Sequence, residues 1–472
     1  MHTTDRPLRA PGADIEAKPL LGAFLDRPTA PAPRAALANR SWLLRALTVT
    51  GLLVVAAAIT FITTSDTTAS LGTSIEECAW AALEEHVSLL DVPPIPRSEF
   101  LARQQRLAAA LKAEGVDAFI AEPSASTAYY ANVSAAFDLS ERPFLVILDS
   151  RAEFSYLVPS FEAGRIAALD MVYDTKAVIQ WDETQSPYAV LKDKTKLGRV
   201  MVDEHARFMI AAGLGGAGIE VVPMSATVQK LRAVKQESEI AILRGINRFT
   251  RQLVRALRPC IRVGMTQEEV TQAAKALFTR AGVGEGFWAI ILFGDQAAFP
   301  HGGKHGKTLQ HGEFVLIDIG SSLHSYGSDV TRTVLPPSAT VSKELLDMWH
   351  TVHAAQSAGF ELMHPNQTCS DIDAASRKPV EAAGLGPYYT HRLGHGLGLE
   401  MHEHPYLNGA NKEKLSIGEV ATNEPGIYVT TEQASEIGWK TGFGIRLEDP
   451  ILVTKDGGEP LTGRRALSPY DP

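Results

Sequence analysis

The stretch that decides the fold runs from Glu313 to Leu335, EFVLIDIGSSLHSYGSDVTRTVL. Val315, Leu316, Ile317 and Ile319 mark a strand buried on both faces, yet Asp318 stands in its middle. Burying an unpaired carboxylate is costly, so a compensating charge is required. Asp329 follows eleven residues later, beyond a Gly/Ser turn from which a hairpin would return it beside Asp318. Two adjacent carboxylates repel and raise one pKa, and a divalent cation removes the conflict. The plainer alternative is an ion pair of Arg332 with Asp318 or Asp329 and no chemistry.

Further donors lie downstream. HRLGHGLGLEMHEHP sets His391, His395, His402 and His404 among glycines that allow close backbone approach. Glu424 precedes Pro-Gly in ATNEPGIYV, and FGIRLED puts Arg446 and Glu448 on one face of a strand, opposite Ile445 and Leu447. This half also contains an echo. TQEEVTQAAKALFTRAG (Thr266 to Gly282) and TCSDIDAASRKPVEAAG (Thr368 to Gly384) both start at a Thr N-cap and stop at Gly. A duplicated α+β unit with the site between its halves is expected.

Upstream, Phe100, Leu101, Leu107, Leu111 and Val116 suit an amphipathic helix. Strands are expected at DAFIAEP, FLVILDS, FSYLVP, RVMVDE and IEVVPM, so residues 97–232 read as an α/β domain. LGGAG at 214–218 is no more than a turn, and no nucleotide-binding glycine pattern is present. A long helical pattern from about Ser225 to Arg258 leads into a second domain, 233–472.

At 472 residues two folded domains plus appendages are expected, with 45% hydrophobic and 21% charged residues. The net charge of −9 argues against nucleic-acid binding, which wants a basic face. Cys78, Cys260 and Cys369 allow at most one disulfide, whose partners the sequence leaves open. Residues 1–41 read as a disordered tail. In 42–65, the uncharged run ALTVTGLLVVAAAITFITTS (Ala46 to Ser65) has the length of a membrane-spanning helix. Arg34, Arg40 and Arg45 precede it and acids follow, so a single-pass anchor with a lumenal or extracellular catalytic part is expected. A cleaved signal peptide and a soluble form are the rivals. Residues 66–96, closed by Pro93, Pro94 and Pro96, read as a stalk. The glycosylation patterns at Asn132 and Asn366 agree with that compartment.

From Arg97 to Leu461 the chain resembles the pita-bread metallopeptidases: methionine aminopeptidase, aminopeptidase P, prolidase and their relative creatinase. The resemblance implies a pita-bread catalytic domain behind a creatinase-type α/β domain, an α+β chain overall. It puts the family's five metal ligands on Asp318, Asp329, His395, Glu424 and Glu448. It implies catalytic roles for His301, in FPHGG, His402 and Glu424, and substrate-binding positions for His391 and Arg446. Two divalent cations would be bound, manganese first among them, with cobalt, iron or zinc as alternatives. The implied substrates are short peptides with proline second, cut by a dipeptidase or aminopeptidase working as a homodimer. Two differences, Glu313 and Ser325, touch no ligand position. Only Lys412 and Lys414 are basic where prolidases hold a substrate carboxylate, with Arg446 as a further candidate. A creatinase-like hydrolase, a sulfonium lyase or a silent binding protein are the other readings of this fold.

Overall fold

Alternation of side chains along strands explains how the first domain is built. The structure, a computed structural model, describes residues 74–134, 139–166, 171 and 177–472. β1 (Ala118–Ala121), β2 (Leu145–Asp149), β3 (Phe154–Pro159), β4 (Ala177–Trp181), β5 (Arg199–Val202) and β6 (Glu220–Pro223) form one mixed sheet, ordered β4-β3-β2-β1-β5-β6. Phe119, Ala121, Val146 and Leu148 enter one apolar cluster, while Ala118, Ile120, Leu145 and Ile147 enter another on the opposite face. Helices cover both faces, so the strands read as continuous apolar runs. β4, AVIQW, was not anticipated: three apolar residues followed by Gln carry too little signal.

The expected long helix after Ser225 breaks in two, Ala226–Ala233 and Glu237–Leu257. Val234 is extended, and Gln236 opens a new helix whose capping box is closed by Glu239. The echo is real as structure. The helix Gln267–Arg280 starts at Thr266 and is followed by Gly282 at φ +83°; Cys369–Ala382 starts at Thr368 and is followed by Gly384 at φ +75°. Each follows a longer helix, Glu237–Leu257 or Lys343–Glu361, and precedes antiparallel strands. In the first half these are β7 (Trp288–Phe293), β8 (Val315–Gly320), the short pair β9 (Ser322–Leu323) and β10 (Tyr326–Gly327), and β11 (Val330–Val334). The second half supplies β12 (Gly394–Gly396), β13 (Glu403–Leu407), β14 (Val420–Asn423), β15 (Gly426–Val429), β16 (Phe443–Arg446), β17 (Asp449–Thr454) and β18 (Gly457–Pro460).

The described part of the expected stalk is not a linker. Helix Ile75–Leu83 buries Ala79, Trp80 and Leu83 in the core around helix Glu237–Leu257, and Cys78 is disulfide-bonded to Cys260. Polar–apolar spacing in this short segment was overshadowed by its acids and the proline cluster. Cys369 is free and buried, which pushes its thiol up to about 12. Thiol titration should therefore find none in native protein, one after denaturation and three after denaturation with reductant. Cys78→Ala should lower stability by about 2–5 kcal/mol in chemical denaturation. Two reactive thiols beyond Cys369 in unreduced protein would refute the bridge.

The expected membrane anchor is corrected. Among the described residues no helix is long and apolar enough to cross a membrane. The 21-residue helix Glu237–Leu257 has the length, but it carries Glu237, Glu239, Arg244, Arg248, Arg251 and Arg255. The run 42–65, on which the single span and lumenal orientation were based, lies outside the described residues, as does the tail 1–41.

Candidate metal centre

Hairpin geometry brings the two aspartates together. β8 pairs antiparallel with β11, Asp318 opposite Thr331, and Asp329 enters immediately before β11. The Asp329 backbone N–H donates to Asn247 Oδ1 at 3.1 Å, fixing the entry. Arg332, the candidate partner in the plainer alternative, turns away and pairs with Asp449 at 2.6 Å, both fully buried. Arg332 forms no ion pair with either aspartate; the cation that does reach Asp318 is Arg446.

His395 arrives on β12, wedged between β13 and β14. Its neighbours must be glycine: a Cβ on Gly394 would stand 1.9 Å from the Thr422 carbonyl oxygen, and on Gly396 2.2 Å from that of His404. His395 Nδ1 lies 3.1 Å from the Gly396 carbonyl oxygen, which makes Nδ1 the donor and turns Nε2 to the acids. Nε2 is 3.2 Å from Glu424 and 3.7 Å from Asp329. Glu424 follows β14, its N–H bonded to the Leu393 carbonyl. Glu448 follows β16 rather than lying within it; Thr331 Oγ1 donates to its Oε2 at 2.6 Å. Ile445 and Leu447 face the core as the alternation requires.

Asp329, His395 and Glu448 present ligand atoms within 4.8 Å of one another. Asp318 Oδ1 and Glu448 Oε1 are buried with no hydrogen-bond partner. Burial, then the neighbouring acids (Asp318 first for Asp329, Asp329 first for Glu448), pushes these two carboxyls well above the usual range. Burial also opposes the charge of Glu424, but the His395 contact outweighs it and holds that carboxyl down to about 2. Four acids converging on one imidazole, with lone pairs lacking donors, fit a divalent-metal centre. A separate group, Glu204, His205 and Glu400, also converges, but it is largely exposed and Arg232 already neutralises its acids.

Around the donors lies a cavity of about 950 Å³ lined by Trp288, Ile290, Phe299, His301, Met401 and His402, among others. The His402 ring is centred 4.1 Å from that of His395. Desolvation, with the charges of His395 and Arg392, pushes its imidazole down to about 4. Arg446 is buried, donating to Asp318 at 2.5 Å and to the Tyr428 hydroxyl at 2.8 Å. That hydroxyl lies 2.8 Å from His391 Nε2, so Arg446, Tyr428 and His391 form one relay. Lys412 is bonded to Ser370 Oγ at 3.1 Å, and Lys414 lines a different depression; neither lines this cavity.

The sequence reading missed Tyr428, Thr331 and Lys235. Tyr428 alternates with Ile427 and Val429, a signal that could have set it on the strand face opposite theirs. Lys235 has no such signal. It is buried against Glu403, the residue after His402, and so secures the loop bearing that histidine.

A duplicated α+β domain with carboxylates and one imidazole from both halves defines a dinuclear-metal hydrolase. Residues 241–455 match the model of metallopeptidase family M24, and residues 103–234 match the creatinase/prolidase N-terminal domain. An uncharacterised peptidase of Schizosaccharomyces pombe is 40% identical over 82% of this chain and 87% of its own length. One of Staphylococcus epidermidis is 33% identical over 68% and 88%. Among solved structures, a dipeptidase of Pyrococcus horikoshii (TM-score 0.66) and a Xaa-Pro dipeptidase of Bacillus anthracis (0.65) are each 25% identical, covering 77% of this chain and 98% of theirs. The chain belongs to metallopeptidase family M24 and is a metallopeptidase.

Proposed function

We propose that Asp318, Asp329, His395, Glu424 and Glu448 hold two divalent cations, manganese first, in an enzyme that cleaves between an N-terminal residue and proline. The convergence of buried, partnerless carboxylate oxygens on His395 carries the metal assignment. When bound, the cations supply Lewis acidity and lower the pKa of water. Glu424 takes the proton from the attacking water and relays it to the leaving nitrogen. His402 and His301, both on the cavity wall, donate to the carbonyl oxygen as charge develops there. Arg446 orients Asp318, and the Tyr428 bridge orients His391. Trp288, Ile290, Phe299 and Met401 give the cavity an apolar wall against which a proline ring packs.

The test is a panel of Xaa-Pro and Xaa-Ala peptides with manganese-loaded protein. Xaa-Pro should be cleaved preferentially, and only at the first bond. His402→Ala should lower turnover by about 10²–10³ while metal content stays unchanged. Equal cleavage of Xaa-Ala and Xaa-Pro would overturn the proline assignment and leave the metal centre standing.

A further inference from the structure

We propose that Arg251 and Arg332 bind one small monovalent anion, chloride, between helix Glu237–Leu257 and β11. The site lies outside the cavity described above and does not depend on what the enzyme cleaves.

The helix lies along β11 and is anchored to it at both ends of one face. Asn247 Oδ1 accepts from the Asp329 N–H at 3.1 Å, and Arg258 Nη1 donates to the Leu335 carbonyl at 2.8 Å. Arg251 stands between these anchors on the same face, four residues after Asn247 and seven before Arg258. It therefore faces the strand that carries Arg332, and it is only 4% exposed. Its Nε and Nη2 are buried without a hydrogen-bond partner. So is the Nε of Arg332, a side chain wholly inaccessible to solvent. Three donors on two buried cations are thus unmet.

The nearby carboxylates are already engaged. Asp449 accepts from Arg332 Nη2 at 2.6 Å and from Gln356 Nε2 at 2.9 Å. Asp471 pairs with Arg464 at 2.6 Å and with Arg255 at 3.6 Å. The charges that act most strongly on Arg251 are those of Arg332, Arg255, Arg464 and Asp449, and only the last attracts it. Burial and those cations push its guanidinium down to about 10, so it is still charged at neutral pH. Water would satisfy the N–H groups but leave the buried charge unbalanced; an anion satisfies both. Two guanidinium groups against the single charge of Asp449 leave a deficit of one, which favours a monovalent ion over sulfate or phosphate. Arg332 Nη1 also donates to the Glu448 carbonyl, so the anion lies one guanidinium away from the segment bearing that acid.

Thermal unfolding of the full chain in sodium chloride and in sodium gluconate, at matched ionic strength, tests the site. Gluconate is too large to be enclosed between the two arginines. Chloride at about 0.2 M should raise the midpoint by about 1–4 °C over gluconate and do so saturably, as a ligand bound only by the folded state does. Arg251→Met keeps the reach of the side chain and removes its charge, and it should show no difference between the two salts. Native crystals soaked in bromide and measured at the bromine absorption edge should give an anomalous peak beside Arg251 Nε and Arg332 Nε. Equal midpoints in the two salts for native protein would overturn the proposal, as would a chloride effect that survives Arg251→Met. An anomalous map empty at the two arginines would give these donors to water instead.

Discussion

Asp318→Asn is expected to abolish catalysis while leaving the fold intact. The substitution keeps the shape of the side chain and its place opposite Thr331, but it removes one of four acids in the cluster. It also leaves Arg446 without the carboxylate it donates to at 2.5 Å. Metal content by elemental analysis should fall from two ions per chain to one or none. Turnover should drop by about 10³-fold or more, because activation of water near neutral pH depends on the cations. Circular dichroism should be unchanged, since the strands around Asp318 are held by apolar packing of Leu316, Ile317 and Ile319. Undiminished metal and activity would dismiss Asp318 as a ligand.

Asp449→Ala should produce the largest loss of stability. Arg332 and Asp449 are both inaccessible to solvent and 2.6 Å apart, with Gln356 Nε2 also donating to the carboxylate at 2.9 Å. Removing the acid leaves a guanidinium buried without its counter-charge, which typically costs about 3–5 kcal/mol. The denaturation midpoint should fall accordingly, well beyond the effect of Asp347→Asn on the exposed helix surface. Asp449 follows Glu448 directly, and Arg332 also donates to the Glu448 carbonyl, so metal affinity should weaken too. A midpoint within experimental error of the native protein would show that this pair contributes nothing.

Much of the candidate site was legible in the sequence. Asp318 inside an apolar strand, Asp329 across a turn, His395 between glycines, and Glu424 and Glu448 at strand ends are local facts. Each breaks the rule that buried strands are apolar, and buried charge must be compensated. The duplicated helices were legible for a similar reason: Thr caps and Gly stops act within a few residues. Where the signal was equally local but the partner distant, the sequence misled or fell silent. The acids of 76–91 suggested a stalk, yet Ala79, Trp80 and Leu83 bury against a helix some 160 residues further on, and Cys78 finds Cys260.

Sequence alone marked which residues carry charge that cannot remain uncompensated, and the family resemblance it carries implied the five-ligand set. Only the tertiary structure decided the pairings. Arg332 could have met Asp318 or Asp329 and instead meets Asp449; Lys235 secures Glu403; Tyr428 joins Arg446 to His391. It also decided which cation faces the cavity, setting Arg392 there while Lys412 and Lys414 lie elsewhere. The physical reason is range. Periodicity and capping act over one or two turns, whereas an ion pair or a cavity wall depends on the packing of segments far apart in the chain.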